Sequence, residues 1–161
     1  AWHKARTLSD AAHRLAMCRL AFGGLPSVWV DDREIRRGSA SYTVDTLGEL
    51  QHECPGARLF LMIGEDQLAA FKSWRRWQEV LSMATLVVAA RTDGQGVTHL
   101  NLNTPPDVPF QRLNMPLSPV SSTTIRSLAA SGAQGLESLA ALVPGAVARY
   151  ISLHSLYQQP S

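Results

Sequence analysis

The distribution of apolar and polar positions along the chain predicts strands that alternate with helices. Unbroken apolar runs at positions 59–63 and 86–90 are typical of strands buried on both faces. A short β-branched and aromatic run at 27–30 predicts another strand, in which Trp29 is expected to be a packing residue. Residues 112–117 predict a further, modest strand. Strands buried on both faces belong to parallel sheets covered by helices, so the predicted class is α/β, with a parallel sheet flanked by helices.

The first predicted helix lies before these strands. Its apolar residues recur at helical spacing and predict a buried stripe: Ala11, Leu15, Cys18 and Phe22. Ser9 is expected to cap this helix through its hydroxyl, and Gly23 is expected to end it.

Five more helices are predicted between and after the strands. In chain order they cover 42 to about 53, 77–83, 121 to about 132, 138–142 and 144–153. Ser41 is expected to cap the first of these five. The stretch 92–109, rich in Gly, Pro, Asn and Asp, is predicted to be a long loop.

Composition narrows the class of protein. With 161 residues the chain is long enough for its own core, and we expect a single domain over 1–161. A formal net charge of +2 gives no case for nucleic-acid binding, and no apolar run reaches the ~20 residues that span a bilayer. Cys18 and Cys54 form no CxxC pair, so we expect reduced thiols, no zinc site and a cytoplasmic location.

The most informative stretch is 59–77, LFLMIGEDQLAAFKSWRRW. Parallel α/β sheets bind ligands at the C-terminal ends of their strands, so the residues after this strand are expected at the mouth of a site. Gly64 allows a close backbone approach, Asp66 can accept hydrogen bonds from hydroxyl groups, and Trp74 offers a flat stacking surface. The alternative is a plain strand, turn and helix with a surface carboxylate and a half-buried indole. For the other residues of this stretch, we expect a surface position for Glu65, core packing for Trp77, and solvated charge for Arg75 and Arg76.

A second informative stretch is 121–126, SSTTIR, at the predicted start of a helix. Unpaired N–H groups and the helix dipole favour anions there, and Arg126, one turn in, can reach the same anion. A phosphate-binding site and an ordinary Ser/Thr cap followed by an exposed arginine are both consistent with this pattern.

Taken together, these stretches resemble the bacterial nicotinate-nucleotide adenylyltransferases. The matching segments, in the family's order and spacing, are EIRRGSASYTVDTL (34–47), IGEDQLAAFKSWRRW (63–77), LVVAAR (86–91) and VSSTTIR (120–126). The opening AWHK is similar to the end of the family's Pro-Pro-His-Lys loop, and LVPGAVARYISLHSLY is similar to its C-terminal helix. The resemblance implies a Rossmann-like nucleotidyltransferase fold.

The resemblance also implies an activity, the transfer of AMP from ATP to nicotinate mononucleotide in NAD biosynthesis, giving deamido-NAD and pyrophosphate. The positions matched to the nicotinate mononucleotide site are His3, Ser41, Tyr42, Thr43, Asp66, Trp74 and Arg91. Trp74 would stack on the nicotinate ring, and Asp66 would bind a ribose hydroxyl. Backbone amides around Tyr42 and Thr43 would hold the carboxylate.

For ATP, the resemblance implies a second set of residues. The matched positions are Gly64, Ser121, Ser122, Thr123 and Arg126. Lys4 would contact the phosphates from the opposite side, and Lys4, Thr123 and Arg126 are the expected catalytic residues. Mg²⁺ would accompany ATP, without a metal site made by the protein. The implied partners are these two small-molecule substrates, with no nucleic acid and no membrane.

One family motif does not occur in these 161 residues. The family begins with a strand that carries Gly-x-Phe-Asp-Pro-x-His-x-Gly-His, in a βαβ unit of about 30 residues, and its histidines stabilise charge on the reacting phosphate. We expect the sequence to be a fragment of a full enzyme rather than a degenerate homologue, because the other ligand positions are intact. We therefore expect these residues alone to be unstable and to make little deamido-NAD.

Two other functions stay open. One is a catalytically silent nucleotide-binding homologue or regulatory subunit, which would bind ligands without releasing pyrophosphate. The other is a related adenylyltransferase with another acceptor, such as a pantetheine-phosphate adenylyltransferase. Trp74 and the Ser41-Tyr42-Thr43 segment argue against the latter.

Overall fold

A computed structural model describes residues 10–91, 105, 107–115 and 120–158. Its elements, in chain order, are α1 (Ala11–Phe22), α2 (Arg33–Arg36), α3 (Thr43–Glu53), β1 (Leu59–Gly64), α4 (Glu65–Ala69), a 3₁₀ turn (Phe71–Ser73), α5 (Trp77–Met83), β2 (Ala84–Arg91), β3 (Gln111–Met115), α6 (Ser122–Ala130), α7 (Ala133–Ala140) and α8 (Gly145–Leu153).

These elements form two compact units. The helical unit comprises the described residues of Ala1–Gly38 and Ser118–Ser161, and the sheet unit comprises those of Ser39–Leu117. The expectation of one domain over 1–161 stays a prediction. No helix within the described ranges is both long and apolar enough to cross a bilayer.

The sheet unit confirms the predicted α/β class. Its three strands lie in the order β1-β2-β3 and all pair in parallel, with Leu61 opposite Leu86 and Val87 opposite Gln111. The apolar residues of helices α3, α4 and α5 pack against one face of this sheet and are buried there. The buried cluster consists of Val44, Leu47, Ile63, Leu68, Phe71, Val80, Ala84, Leu86, Val88 and Val108.

The prediction that β1 is buried on both faces is wrong. Ile63 is 8% exposed, whereas Phe60 and Met62 are 52% and 60% exposed. Successive side chains of a strand point to opposite faces, so Phe60 and Met62 lie on the face opposite Ile63. The apolar residues of α3, α4 and α5 cluster with the Ile63 face, which explains the difference in exposure.

The helical unit has a core of its own. Residues from α6, α7, α8 and the turn after α8 form the buried cluster: Ala129, Leu139, Val147, Ala148, Ile151 and Leu156. Helices α6 and α7 approach closely at Gly135, where an added Cβ atom would lie 1.9 Å from the Leu128 carbonyl oxygen. The start of α6 agrees with its prediction, whereas α7 begins earlier than the predicted 138–142.

Two predictions for α1 are wrong. Asp10 is the N-cap, since its Oδ1 accepts the Ala12 N–H at 2.9 Å, whereas Ser9 lies outside the described residues. In the predicted stripe, Cys18 and Phe22 are exposed. Met17 and Ala21 instead pack against the unit's core. The contact face is therefore rotated by one residue, about 100°, from the predicted one.

The predicted strand at 27–30 is also wrong. These residues have no regular structure, and none of the three strands in the described part of the chain pairs with them. Trp29, expected to be a packing residue, is 85% exposed. A strand needs a partner for its backbone N–H and C=O groups, so β-branched composition alone does not make one.

The acidic pair that follows 27–30 is held by arginines and opens α2. The Asp31 Oδ1 accepts the Arg33 N–H at 2.9 Å, and this bond lowers the pKa of the Asp31 carboxyl. Asp32 pairs with Arg36 at 2.8 Å and with Arg19 at 3.1 Å. Both carboxylates therefore serve local structure.

Candidate functional site

The C-terminal edge of the parallel sheet carries three of the predicted site residues. Gly64 ends β1 opposite Ala89 of β2, and β2 continues by two residues to Arg91. Glu65 and Asp66 begin α4 directly after Gly64. This arrangement agrees with the expected site at the strand ends, although the Arg91 side chain lies outside the described residues.

Gly64 is needed for the position of the Asp66 carboxylate. A Cβ atom added at Gly64 would lie 2.7 Å from the Asp66 Oδ1, so the carboxylate folds back over the turn into space that only glycine leaves free. The Asp66 side chain is exposed, and its Oδ2 accepts one hydrogen bond from Gln67 Nε2 at 3.3 Å. Further acceptor capacity is left for a ligand hydroxyl.

Glu65 differs from the surface role that its sequence position indicates. The residue is half-buried, and its Oε1 is shielded from solvent with no hydrogen-bond partner in the described part of the chain. A buried carboxylate oxygen without a partner is costly, so it marks this strand end as a place where a polar ligand group would be stabilising.

Trp74 rests on the core of the sheet unit. Its ring centroid lies 5.2 Å from that of Phe71, which is fully buried, and the two rings are tilted by 48°. The Trp74 side chain is half-buried, so part of the indole is left for another planar group. Trp77, predicted to be a core residue, packs against the same cluster.

Two arginines fasten the segment after Trp74 to the start of α3. The Arg75 guanidinium carbon lies 4.6 Å from the centroid of the Tyr42 ring. Arg76 bonds to Glu79, with its Nε 2.7 Å from Oε1, and lies 3.7 Å from Asp45 in the first turn of α3. Both arginines were expected to be solvated charge. Tyr42 and Asp45 lie far from them in sequence, so no local pattern predicts these two contacts, whereas Glu79 is only three residues from Arg76.

The start of α3 differs from its prediction. Tyr42, not Ser41, is the N-cap, with an extended backbone and no capping hydrogen bond from its side chain. Asp45 and Thr46 donate their N–H groups to the Tyr42 carbonyl at 3.0 and 3.3 Å. The Thr43 N–H has no acceptor among the described residues, so the first turn retains a donor for an anion.

In the helical unit, the start of α6 has the features predicted for it. Ser121 is the N-cap, and its Oγ accepts the Thr124 N–H at 3.1 Å. Among the described residues, the N–H groups of Ser122 and Thr123 have no acceptor. Arg126 is half-buried, and its Nη2 donates to Thr123 Oγ1 at 3.4 Å. Open amides, hydroxyls and a guanidinium therefore share one helix turn.

The remaining predicted site residues, His3 and Lys4, lie outside the described residues, as does most of the predicted loop 92–109. Within the described ranges, no three His, Cys, Asp or Glu side chains are close enough to hold a metal ion. Cys18 and Cys54 are both free and exposed.

Comparison with known proteins identifies the family of the chain. Residues 1–128 match the cytidylyltransferase-like family. A probable nicotinate-nucleotide adenylyltransferase of Albidiferax ferrireducens is 49% identical over 159 residues, which cover 98% of this chain and 78% of that protein. One from Methylibium petroleiphilum is 39% identical and covers 99% of this chain and 75% of its own length.

A solved structure gives the same fold. The nicotinic acid mononucleotide adenylyltransferase of Plasmodium falciparum, complexed with NaAD, superposes with a TM-score of 0.69 at 16% identity. The superposition covers 96% of this chain and 77% of that one. Because relatives that are 49% and 39% identical match almost the whole of this chain, the chain belongs to the nicotinate-nucleotide adenylyltransferases of the cytidylyltransferase-like family.

Proposed function

We propose that the protein transfers the adenylyl group of ATP to nicotinate mononucleotide, giving deamido-NAD and pyrophosphate in NAD biosynthesis. The observation that carries the proposal is the family membership of almost the whole chain. In the reaction, a phosphate oxygen of nicotinate mononucleotide bonds to the α-phosphorus of ATP, and the bond from that phosphorus to pyrophosphate breaks. Such a transfer needs no protein nucleophile, since positioning and charge stabilisation supply the catalysis.

The sheet unit is assigned to nicotinate mononucleotide. Trp74 stacks on the nicotinate ring with the indole surface that Phe71 leaves free. The open first turn of α3, from Tyr42 to Thr43, binds the carboxylate, and Asp66 accepts a hydrogen bond from a ribose hydroxyl. Ser41, His3 and Arg91 are assigned to the same substrate from the family match.

ATP is assigned to the start of α6 and to Gly64. The free amides of Ser122 and Thr123 and the cap residue Ser121 receive phosphate oxygens, as helix N-termini do. Arg126 and Thr123 stabilise the charge that develops during transfer, with Lys4 assigned to the same role. Gly64, at the end of β1, is assigned to the same substrate from the family match.

Mg²⁺ enters this scheme as part of the Mg²⁺–ATP substrate. The ion is typically bound by substrate phosphates and water with one or two carboxylates, so a protein cage is not required. We place the activity in the cytoplasm, because two exposed free thiols suit a reducing compartment.

The test is a turnover assay on the full-length protein with Mg²⁺–ATP and one acceptor at a time. We expect pyrophosphate release and a deamido-NAD mass with nicotinate mononucleotide, and no product with 4′-phosphopantetheine. Ligand binding without pyrophosphate release would identify a silent homologue and reject the proposal. Turnover with phosphopantetheine in place of the mononucleotide would reject the assigned acceptor.

A further inference from the structure

Two adjacent arginines, Arg75 and Arg76, differ sharply in their surroundings. The charge of Arg76 is compensated by Glu79 and by Asp45 at 3.7 Å. Arg75 lies over the ring of Tyr42 at 4.6 Å and forms no ion pair within the described part of the chain. Among the described residues, this exposed positive charge therefore contacts an aromatic face rather than a carboxylate.

The location of Arg75 matters because it connects two parts of the proposed site. Arg75 directly follows the stacking residue Trp74 in the chain, so their Cα atoms lie only about 3.8 Å apart. Its guanidinium lies on the side chain of Tyr42, which is the N-cap of α3. A ring stacked on Trp74 with its substituent at the α3 amides would thus have Arg75 nearby.

The backbone amides of α3 carry no formal charge, so they separate the two pyridine mononucleotides less strongly than a cation would. A backbone N–H donates to the oxygen of an uncharged carboxamide as well as to a carboxylate. A fixed cation adds to this difference, since it attracts the charged carboxylate more strongly than the uncharged carboxamide. The guanidinium also offers N–H donors in a planar fork that matches a carboxylate, and stacking on Tyr42 pre-orients that fork.

We propose that Arg75 determines the preference of this enzyme for nicotinate mononucleotide over nicotinamide mononucleotide. The inference rests on the proposed function, because it assigns a specificity residue to the same acceptor site. Arg75 acts on the carboxylate of the acceptor, and Tyr42 positions the guanidinium.

The test compares kcat/KM for the two mononucleotides in the full-length protein. For Arg75→Gln we expect the ratio of nicotinate to nicotinamide mononucleotide to fall about tenfold, which corresponds to ~1.4 kcal/mol. The fall comes from a higher KM for the nicotinate form, with kcat and the kinetics of the nicotinamide form nearly unchanged. Arg75→Lys keeps the charge without the fork and restores part of the ratio.

Arg76→Gln is the matched control. It removes the neighbouring arginine and loosens the same segment, but the charge that it removes is already compensated. We expect both substrates to change by the same factor, so the ratio is retained. Added salt should reduce the preference of the wild-type protein more than that of Arg75→Gln.

The outcomes separate the two proposals. A wild-type protein that prefers nicotinate mononucleotide, together with an unchanged ratio in Arg75→Gln, overturns the role of Arg75 alone. Equal losses on both substrates in Arg75→Gln would show a merely structural contact and also overturn it. A wild-type protein that does not adenylylate nicotinate mononucleotide overturns the proposed function and this inference with it.

Discussion

At the scale of single residues, the packing of Trp74 on Phe71 bears on how strongly the loss of Trp74 would weaken substrate binding. Phe71 is fully buried and fixes one side of the indole at 5.2 Å, so the ring is a rigid platform rather than a mobile surface group. A rigid platform loses little conformational entropy when a second ring stacks on it.

Trp74→Ala is expected to weaken nicotinate mononucleotide binding at least several-fold and to leave ATP binding largely intact. Aromatic pairs contribute ~0.5–1.5 kcal/mol beyond the area that they bury. Calorimetric titration of each ligand measures the effect, with Trp74→Phe retaining most of the affinity. Trp29→Ala, which removes an indole that is 85% exposed, is the control. Equal weakening of both ligands would contradict the stacking role.

Arg126→Ala is expected to weaken ATP binding or to slow the adenylyl transfer. A hydrogen bond to a charged group contributes ~1.5–3 kcal/mol, so ATP affinity or rate should fall on the order of tenfold to a hundredfold. Lysine at this position should rescue only part of the loss, because the planar fork is gone. Arg149→Ala, which removes an exposed arginine of α8, should change neither quantity. Unaltered ATP kinetics in Arg126→Ala would remove Arg126 from the site.

At the scale of elements, the contact between α6 and α7 depends on the absence of one side chain. Gly135 is buried, and its Cα atom packs directly on the backbone of Leu128. The helix that presents Ser121 and Arg126 is therefore held in place by a backbone-to-backbone approach.

Gly135→Ala should destabilise the fold, because the new methyl group would meet a carbonyl oxygen 1.9 Å away. Overpacking of this kind costs ~1–3 kcal/mol. Urea unfolding followed by circular dichroism measures the change. Gly48→Ala is the control with the opposite sign, since no atom lies within 4 Å of its added Cβ and alanine favours a helix by ~0.5–1 kcal/mol. Similar midpoints for the two variants would contradict the close packing.

The ion pair between Arg76 and Glu79 at the start of α5 is expected to depend on pH. Hydrogen bonds from Arg76 hold the pKa of the Glu79 carboxyl below its ordinary value of 4.5. A lowered pKa in the folded protein means that the pair is intact above the ordinary value and is lost as the pH falls through the lowered one. An NMR titration should give a pKa for Glu79 below the ordinary value of 4.5, and Arg76→Gln should move this pKa back toward the ordinary value. A titration unaffected by Arg76→Gln would contradict the pairing.

The sequence predicted those elements whose cause is local. The parallel strands and the cap of α6 by Ser121 follow from short-range patterns, and the structure agrees with them. Phe60 and Trp29 were mispredicted because burial depends on what lies opposite a side chain, which periodicity does not encode. The contact of Arg75 with Tyr42 was missed for the same reason, since only the folded chain brings them together.

At the scale of the whole molecule, one face of the sheet is unusually apolar for an accessible surface. By the register of the strands, four exposed apolar residues share that face: Phe60, Met62, Leu113 and Met115. Single exposed apolar residues are common in folded proteins, but a contiguous group of them is not.

The polypeptide of these 161 residues is therefore expected to bind the dye 8-anilinonaphthalene-1-sulfonate in its folded state. Replacing both Phe60 and Met62 with Ser should lower the fluorescence without unfolding, because these side chains are 52% and 60% exposed. Leu153→Ser removes an apolar side chain of α8 that is 81% exposed, and it should have little effect. Dye binding that is absent, or that persists in the double variant, would contradict this assignment.

The two cysteines have a practical consequence for watching the enzyme work. The chain has two, Cys18 and Cys54, and both are free and exposed. The first lies in the helical unit and the second in the sheet unit. A fluorescent donor and acceptor attached to these native thiols would place one dye on each unit without any mutation. Energy transfer between the dyes could then be recorded as ATP and nicotinate mononucleotide are added in turn.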